Sequence, residues 1–539
     1  MLDRFPPEIL ENVLEYLGQE EKVSLTYVSR ILYKHSIPSL YRHLLLNDCY
    51  YFPCQLDPTI GTRHWSVLYL SYNYNSSKRK ELANRKYLTL IRSLESNPEK
   101  LCPLIYSLHL EWHINDSLLS RFLKVIIDHA VNLKSVENFI KKYIGITLMK
   151  NKSNLESLNL FPPDSYPVEG GASPAYFNGL RGLLKTYSFD HVKNLNVHVN
   201  CRTFFKPLKN PLKIESLCLN LRHDTFDTDP LATAIRTNYY DIFDVDTLKE
   251  LEILSWYSDG DTDWETLHML YDLWGLRDFG KFNNIENFTI LQLLYNEQYL
   301  TFFLKSFHNL KRVKLDYLDY IDGTFVKSEQ IDLLGRLGCS KSLRYIDLHM
   351  TKLEPKLLEI HHFENLSVFE INMSCKCSDC GDTLKNVILK KYFPTKDTFT
   401  VNGFSHLHKR DFFLQIFKLF PIFPYYPFVD SHPTIGYNSM PLNHHVEGVN
   451  KLLNYEPNDV KYITEQDIIK IYHAMLHSMR KSFDSFLQKF PNLEYLILNG
   501  VATKVLQVDE HQRCNMPLFY CNGYKSNQVY ELVSDSLFD

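Results

Sequence analysis

Four times along the chain a phenylalanine is followed, two residues on, by an asparagine and then an aliphatic residue: Phe282-Asn283-Asn284-Ile285, Phe307-His308-Asn309-Leu310, Phe363-Glu364-Asn365-Leu366 and Phe490-Pro491-Asn492-Leu493. After each asparagine, apolar and outward positions alternate as far as Ile290, Leu315, Ile371 and Leu498, the period of a β-strand. The phenylalanine can plug a core, and asparagine suits the turn between plug and strand. Looser copies start at Ile105, Leu155, Val192, Ile214, Leu248 and Leu343. With 45% hydrophobic residues the bare apolar spacing arises by chance, so the Phe-x-Asn prefix carries the weight. Most strands lie 22 to 37 residues apart, with helices expected between them at 117–130 and 264–274. Units of strand plus helix that cannot bury their faces alone stack into a solenoid. The alternative is an unrelated α/β body that uses similar strands.

A different pattern fills residues 2–44. Pro6-Pro7-Glu8 makes a good helix start, because the missing proline N–H costs nothing in a first turn and an acid there suits the helix dipole. Ile9, Leu10, Val13, Leu14 and Leu17 form one apolar stripe at helical spacing, and Gly18 closes the helix. A second short helix carries Val23, Leu25 and Val28. Ser29 caps a third with Ile31, Leu32 and Ile37, which Pro38 is expected to break. A unit of about 40 residues is marginal by itself, so its surplus apolar surface faces either the chain's own body or a second protein.

Here the sequence resembles the F-box family. Phe5-Pro6-Pro7-Glu8-Ile9-Leu10 matches the family's opening leucine-proline-x-glutamate-aliphatic-leucine, and Val13-Leu14-Glu15-Tyr16-Leu17 the segment after it. Val28-Ser29-Arg30 with Tyr33 matches the later valine-serine-arginine stretch, and Pro38 to Leu44 resembles the exit common in fungal members. The chain departs at Phe5 (usually leucine), at Lys22-Val23 (often aspartate-leucine) and at Leu32 (often tryptophan).

The resemblance implies a three-helix module at residues 1–45 that docks on a Skp-type adaptor, and through it on a cullin. Pro6, Ile9, Leu10, Val13, Leu14, Leu17, Val28 and Leu32 would be its contact or core residues. With the recurring strands, the chain is similar to leucine-rich-repeat F-box proteins. The expected α/β architecture is that module, a helical connection over 46–100, and an irregular leucine-rich-repeat solenoid over 101–539 with an insertion at about 373–490. Such a protein is no enzyme: it recruits a protein substrate for ubiquitination by others. The alternative is a Skp-bound sequestering or scaffolding factor outside the ligase.

In a solenoid the outward strand positions line the concave face and form a natural partner site. They include Asn159, His198, Asn220, Glu252, Thr289, Lys314, Asp347, His349, Glu370 and Asn499. Both charge signs occur among them, and the formal net charge is only −4, so a protein or peptide is expected there rather than nucleic acid.

The insertion opens with Cys375, Cys377 and Cys380, thiols that could chelate zinc; with no second Cys-x-x-Cys pair, an ordinary reduced loop is the alternative, and no other cofactor is expected. Asp259, Asp261, Asp263 and Glu265 do not make a calcium loop, since Trp264 and Leu270 stand where glycine and glutamate are required. The most apolar run, Phe412 to Phe428, carries Lys418 and three prolines, so no membrane span is expected. Eleven mostly scattered cysteines and no secretory signal point to the cytoplasm, the nucleus or both.

Overall fold

The computed structural model describes residues 5–15, 17, 19–46, 66–68, 76–110, 116–137, 148, 152–160, 182, 186–198, 210–222, 238–256, 275–294, 297–318, 328–336, 339–348, 398–401, 404–408, 456–459, 462, 464, 486–498, 501–507, 513–521 and 529–532. The protein is mixed α/β and forms two compact units. The first comprises 1–52 and 62–320 with 525–527, and the second 53–61, 321–524 and 528–539.

The first unit opens with three short helices, α1 (Pro7–Glu15), α2 (Gln19–Thr26) and α3 (Arg30–Arg42). The amides of Ile9 and Leu10 both donate to the Pro6 carbonyl at 3.1 Å, so the proline pair starts α1 as its chemistry requires. Ser29, extended at φ −154°, caps α3 by accepting from the Leu32 amide at 3.2 Å. Pro38 does not break α3 and lies inside it. Its ring is exposed, so the carbonyl one turn back that loses its amide partner can be hydrated.

The helix then runs directly into β1 (His43–Leu46). That strand pairs in parallel with β2 (Ser66–Leu68) on one side and β3 (Ser107–Leu110) on the other. The boundary expected at residue 45 therefore falls inside a strand. The connection expected over 46–100 supplies β2 and α4 (Ser76–Ser96), which packs on α6 (Asp116–His129) after the short α5 (Pro98–Leu101). The three leucines at 44–46 hide a strand because they do not alternate, yet Leu44 and Leu46 stand in register with the inward Leu108 and Leu110.

From β3 onward the sheet grows one strand at a time: β4 (Ser135–Glu137), β5 (Ser157–Asn159), β6 (Asn194–His198), β7 (Ser216–Arg222), β8 (Glu250–Trp256), β9 (Asn287–Leu294) and β10 (Arg312–Leu318), with α7 (Tyr239–Ile242) and α8 (Glu297–Ser306) between. Every pair in this series is parallel, and the register shifts once, between Asp316 and Tyr317 of β10 against β9. One face is a ladder of Leu158, Leu195, Leu217, Leu251, Phe288 and Val313, all buried. Each such side chain contributes about 1.5–3 kcal/mol, so this face dominates the stability of the sheet.

The residue just before each strand has a repeated role. The Glu156 carbonyl accepts the amides of Lys193 and Asn194, the Lys193 carbonyl those of Glu215 and Ser216, and so on to Glu286 with Lys311 and Arg312. From Lys134 these residues alternate in sign: Lys134, Glu156, Lys193, Glu215, Lys249, Glu286, Lys311. Neighbours pair where geometry allows, at 3.3 Å (Lys134–Glu156), 3.6 Å (Lys193–Glu156) and 2.8 Å (Lys311–Glu286). Exposed pairs stabilise by at most about 1 kcal/mol each, but a slip by one strand would set like charges together.

The recurring phrase itself has a physical basis in the structure. Asn284 donates from its side chain to the Asp246 carbonyl at 3.0 Å, and Asn309 to the Asn283 carbonyl at 3.3 Å, so each asparagine stitches its turn to the preceding one. Phe282 and Phe307 are fully buried among aromatic neighbours, with Phe279–Phe282 centroids 5.2 Å apart and Phe288–Phe307 5.1 Å. Asn132 does the same toward Pro103 at 2.7 Å, a copy disguised in sequence by Ala130 in the plug position.

In the second unit, α9 (Ser328–Arg336) precedes β11 (Tyr345–Leu348), which pairs in parallel with β14 (Tyr495–Leu498); β12 (Thr398–Val401) and β13 (Phe404–His408) form a hairpin. The phrase recurs here with Phe490 buried and Asn492 donating to the Lys341 carbonyl at 2.7 Å. From β14 the pairing turns antiparallel through β15 (Val501–Gln507), β16 (Arg513–Cys521) and β17 (Val529–Leu532). The guanidinium of Arg513 donates to the carbonyls of Leu487, Phe490 and Leu493, locking β16 onto that turn. The third Phe-x-Asn copy, the cysteine cluster, the helix expected at 264–274 and most of the insertion lie outside the described residues.

Candidate functional site

Two surfaces of the first unit stand out, one apolar and one polar. The helices α1–α3 turn Leu10, Leu14 and Leu32 inward, each at most 4% exposed. The rest of the stripe does not follow. Ile9 is 45% exposed, Val28 68% and Tyr27 84%, with Phe5, Val23, Ile31 and Tyr33 also in the open. Ten large apolar side chains are exposed among the described residues, and seven lie between Phe5 and Tyr33. Single scattered exposures are the norm, and this concentration in one short segment departs from it.

The sequence-derived positions therefore divide. Pro6, Ile9 and Val28 are exposed, Val13 and Leu17 half-buried, and Leu10, Leu14 and Leu32 hold the helices together. Tyr27, Ile31 and Tyr33 join the exposed set. Ile31 and Tyr33 lie on α3 and Tyr27 in the turn before it, and apolar content along the chain does not say which side faces out.

The polar surface is the opposite face of β5–β10. Register places Asn159, Asn196, Cys218, Glu252, Thr289 and Lys314 in one row across six strands. His198 and Asn220 stand in the next row. The position between the two apolar residues of each strand pattern names Asn196 and Cys218 directly, and both belong to this face. Asn220 is buried and donates to the Asn196 side-chain oxygen and, at 3.8 Å, to the Cys218 sulfur.

Glu252 is the electrostatic centre of that row. Burial pushes its carboxyl above the usual carboxylate range, Lys314 opposes the shift, and the Cys218 thiol donates to it. Burial, with Glu252 adding to the effect, raises the Cys218 thiol well above its ordinary value, which leaves it a poor nucleophile. Asn287 donates to the Glu250 carboxylate at 2.6 Å one position earlier along the face. These groups can offer charge and hydrogen bonds to a partner.

In the second unit Asp347 is buried and accepts from the Tyr345 hydroxyl at 3.4 Å. His349, Glu370, Asn499, Cys375, Cys377 and Cys380 lie outside the described residues. Among the described residues no helix is long and apolar enough to cross a membrane.

No protein-family model matches the chain. It is 37% identical to the F-box protein YDR131C of Saccharomyces cerevisiae over the full length of both chains. It is also 24% identical to the F-box protein DAS1 of the same yeast, over 98% of this chain and 88% of that one.

Proposed function

The chain belongs to the F-box protein family, and from that premise we propose that helices α1–α3 dock on a Skp-type adaptor while the polar face of the sheet holds a protein substrate for ubiquitination. The observation that carries the reading is the apolar surface left open between Phe5 and Tyr33. Ile9, Tyr27, Val28 and Ile31 are its anchors, and Leu10, Leu14 and Leu32 keep the helices in shape beneath them. We read the register-matched parallel ladder, with its asparagine and phenylalanine repeats, as a leucine-rich-repeat solenoid.

The mechanism is proximity. On this reading the chemistry is done by other proteins; holding adaptor and substrate at once raises the effective concentration of substrate lysines at the ubiquitin-charged enzyme that a cullin brings. The setting is the cytoplasm or nucleus.

Deleting residues 1–45 would also remove most of β1 from the sheet interior, so the test uses substitutions. In affinity purification, Ile9→Asp with Val28→Asp is expected to lose adaptor and cullin and keep the substrate. Retention of the adaptor would refute the docking. If adaptor binding is lost but no partner rises in abundance, ubiquitination gives way to sequestration.

A further inference from the structure

The outward residues of β8, β9 and β10 repeat one order of charge twice. At the first outward position register aligns Glu250, Asn287 and Arg312, and at the second Glu252, Thr289 and Lys314. Each row reads acid, neutral, base. The face therefore carries two carboxylates along β8 and two cations along β10, with hydrogen-bonding side chains between them. Adjacent strands lie about 4.8 Å apart, which sets the acidic and basic columns about 10 Å apart.

We propose that this strip binds an extended polypeptide segment bearing a basic side chain and, three residues away, an acidic one, seated over β8 and β10 respectively. The proposal rests on reading this face as the substrate site and names the class of substrate it takes. Charge complementarity fixes the pair of side chains, and geometry fixes their spacing. A polyproline-II segment presents every third residue on one side, about 9.3 Å apart, which matches two strand spacings. A β-strand presents alternate residues about 7 Å apart and does not. The backbone of a polyproline-II segment keeps its carbonyls free, and the Asn287 amide and Thr289 hydroxyl beneath its middle can donate to them. Burial pushes the Glu252 carboxyl above the usual carboxylate range, and a cation seated beside it opposes that shift as Lys314 does.

The test uses the intact chain and fluorescein-labelled proline-rich dodecapeptides read by anisotropy. One peptide carries lysine and glutamate three positions apart; controls neutralise either charge or move the pair to a spacing of two. Either neutralisation, and the shorter spacing, is expected to weaken binding roughly five- to tenfold. Glu250→Gln with Glu252→Gln should abolish sensitivity to the peptide's lysine alone, and Arg312→Gln with Lys314→Gln sensitivity to its glutamate alone. Equal binding of all peptides, or none, overturns the proposal. Thr289→Trp, which fills the face without changing charge, separates that failure from a wider one. If it abolishes substrate capture while no peptide discriminates, the charge pair falls and the face stands. If it leaves capture intact, both fall.

Discussion

The sheet and the helices before it treat apolar surface in opposite ways. Across β5–β10 apolar residues alternate with polar ones, and those of the inward ladder from Leu158 to Val313 are buried. In α1–α3 the buried residues Leu10, Leu14 and Leu32 are outnumbered by exposed apolar neighbours. A long sheet grows by addition, so each new strand covers the last and the core enlarges. Three short helices have no such recourse, and much of their apolar surface stays exposed. The sheet in turn leaves a polar face that offers charge and hydrogen bonds rather than apolar area.

That contrast can be broken first in the sheet. Phe307→Ala should destabilise the first unit by about 3–5 kcal/mol, read as a lowered denaturation midpoint. In the helices, depth should decide the outcome. Leu10→Ala is expected to cost about 2–4 kcal/mol and raise hydrogen exchange through α1–α3. Ile9→Ala, one residue away, should stay within about 0.5–1 kcal/mol, and equal effects would erase the distinction. Asn309→Ala removes the stitch to the Asn283 carbonyl and should cost about 1 kcal/mol. Glu156→Lys places a third cation between Lys134 and Lys193; it should destabilise by less than about 1 kcal/mol, and less still in high salt.

The smallest effect is one of pH. The folded pKa of Glu252 lies above its unfolded value, so its contribution is fully present only below the unfolded pKa near 4.3 and is lost as pH rises through the folded value. Wild type should lose stability over that rise relative to Glu252→Gln. Chemical denaturation of both at pH 4 and pH 7 measures the difference, and a constant gap would remove Glu252 as its source.

Much of this was legible in the sequence, for identifiable reasons. Phe282, Phe307 and Phe490 could be read because each sets a large aromatic plug two residues before a donor asparagine, a pair that stands out against the apolar background. The copy at Asn132 was hidden because Ala130 fills the plug position, and β1 because Leu44-Leu45-Leu46 lacks alternation. Pro38 misled because the break it imposes was judged without knowing that it faces solvent. On the polar face, parity along a strand identified Glu252 and Lys314 as outward. Their place in one row with Cys218 depends on register between segments tens of residues apart, which local spacing does not contain.

The central claim is that the surface around Ile9, Tyr27, Val28 and Ile31 is completed by a Skp-type adaptor. Calorimetric titration of purified adaptor into wild type and into Val28→Ala with Ile31→Ala, beside thermal melts of both, tests it most directly. The account predicts unchanged melts and an affinity roughly thirtyfold lower, about 2 kcal/mol. Equal affinities with equal melts would contradict it.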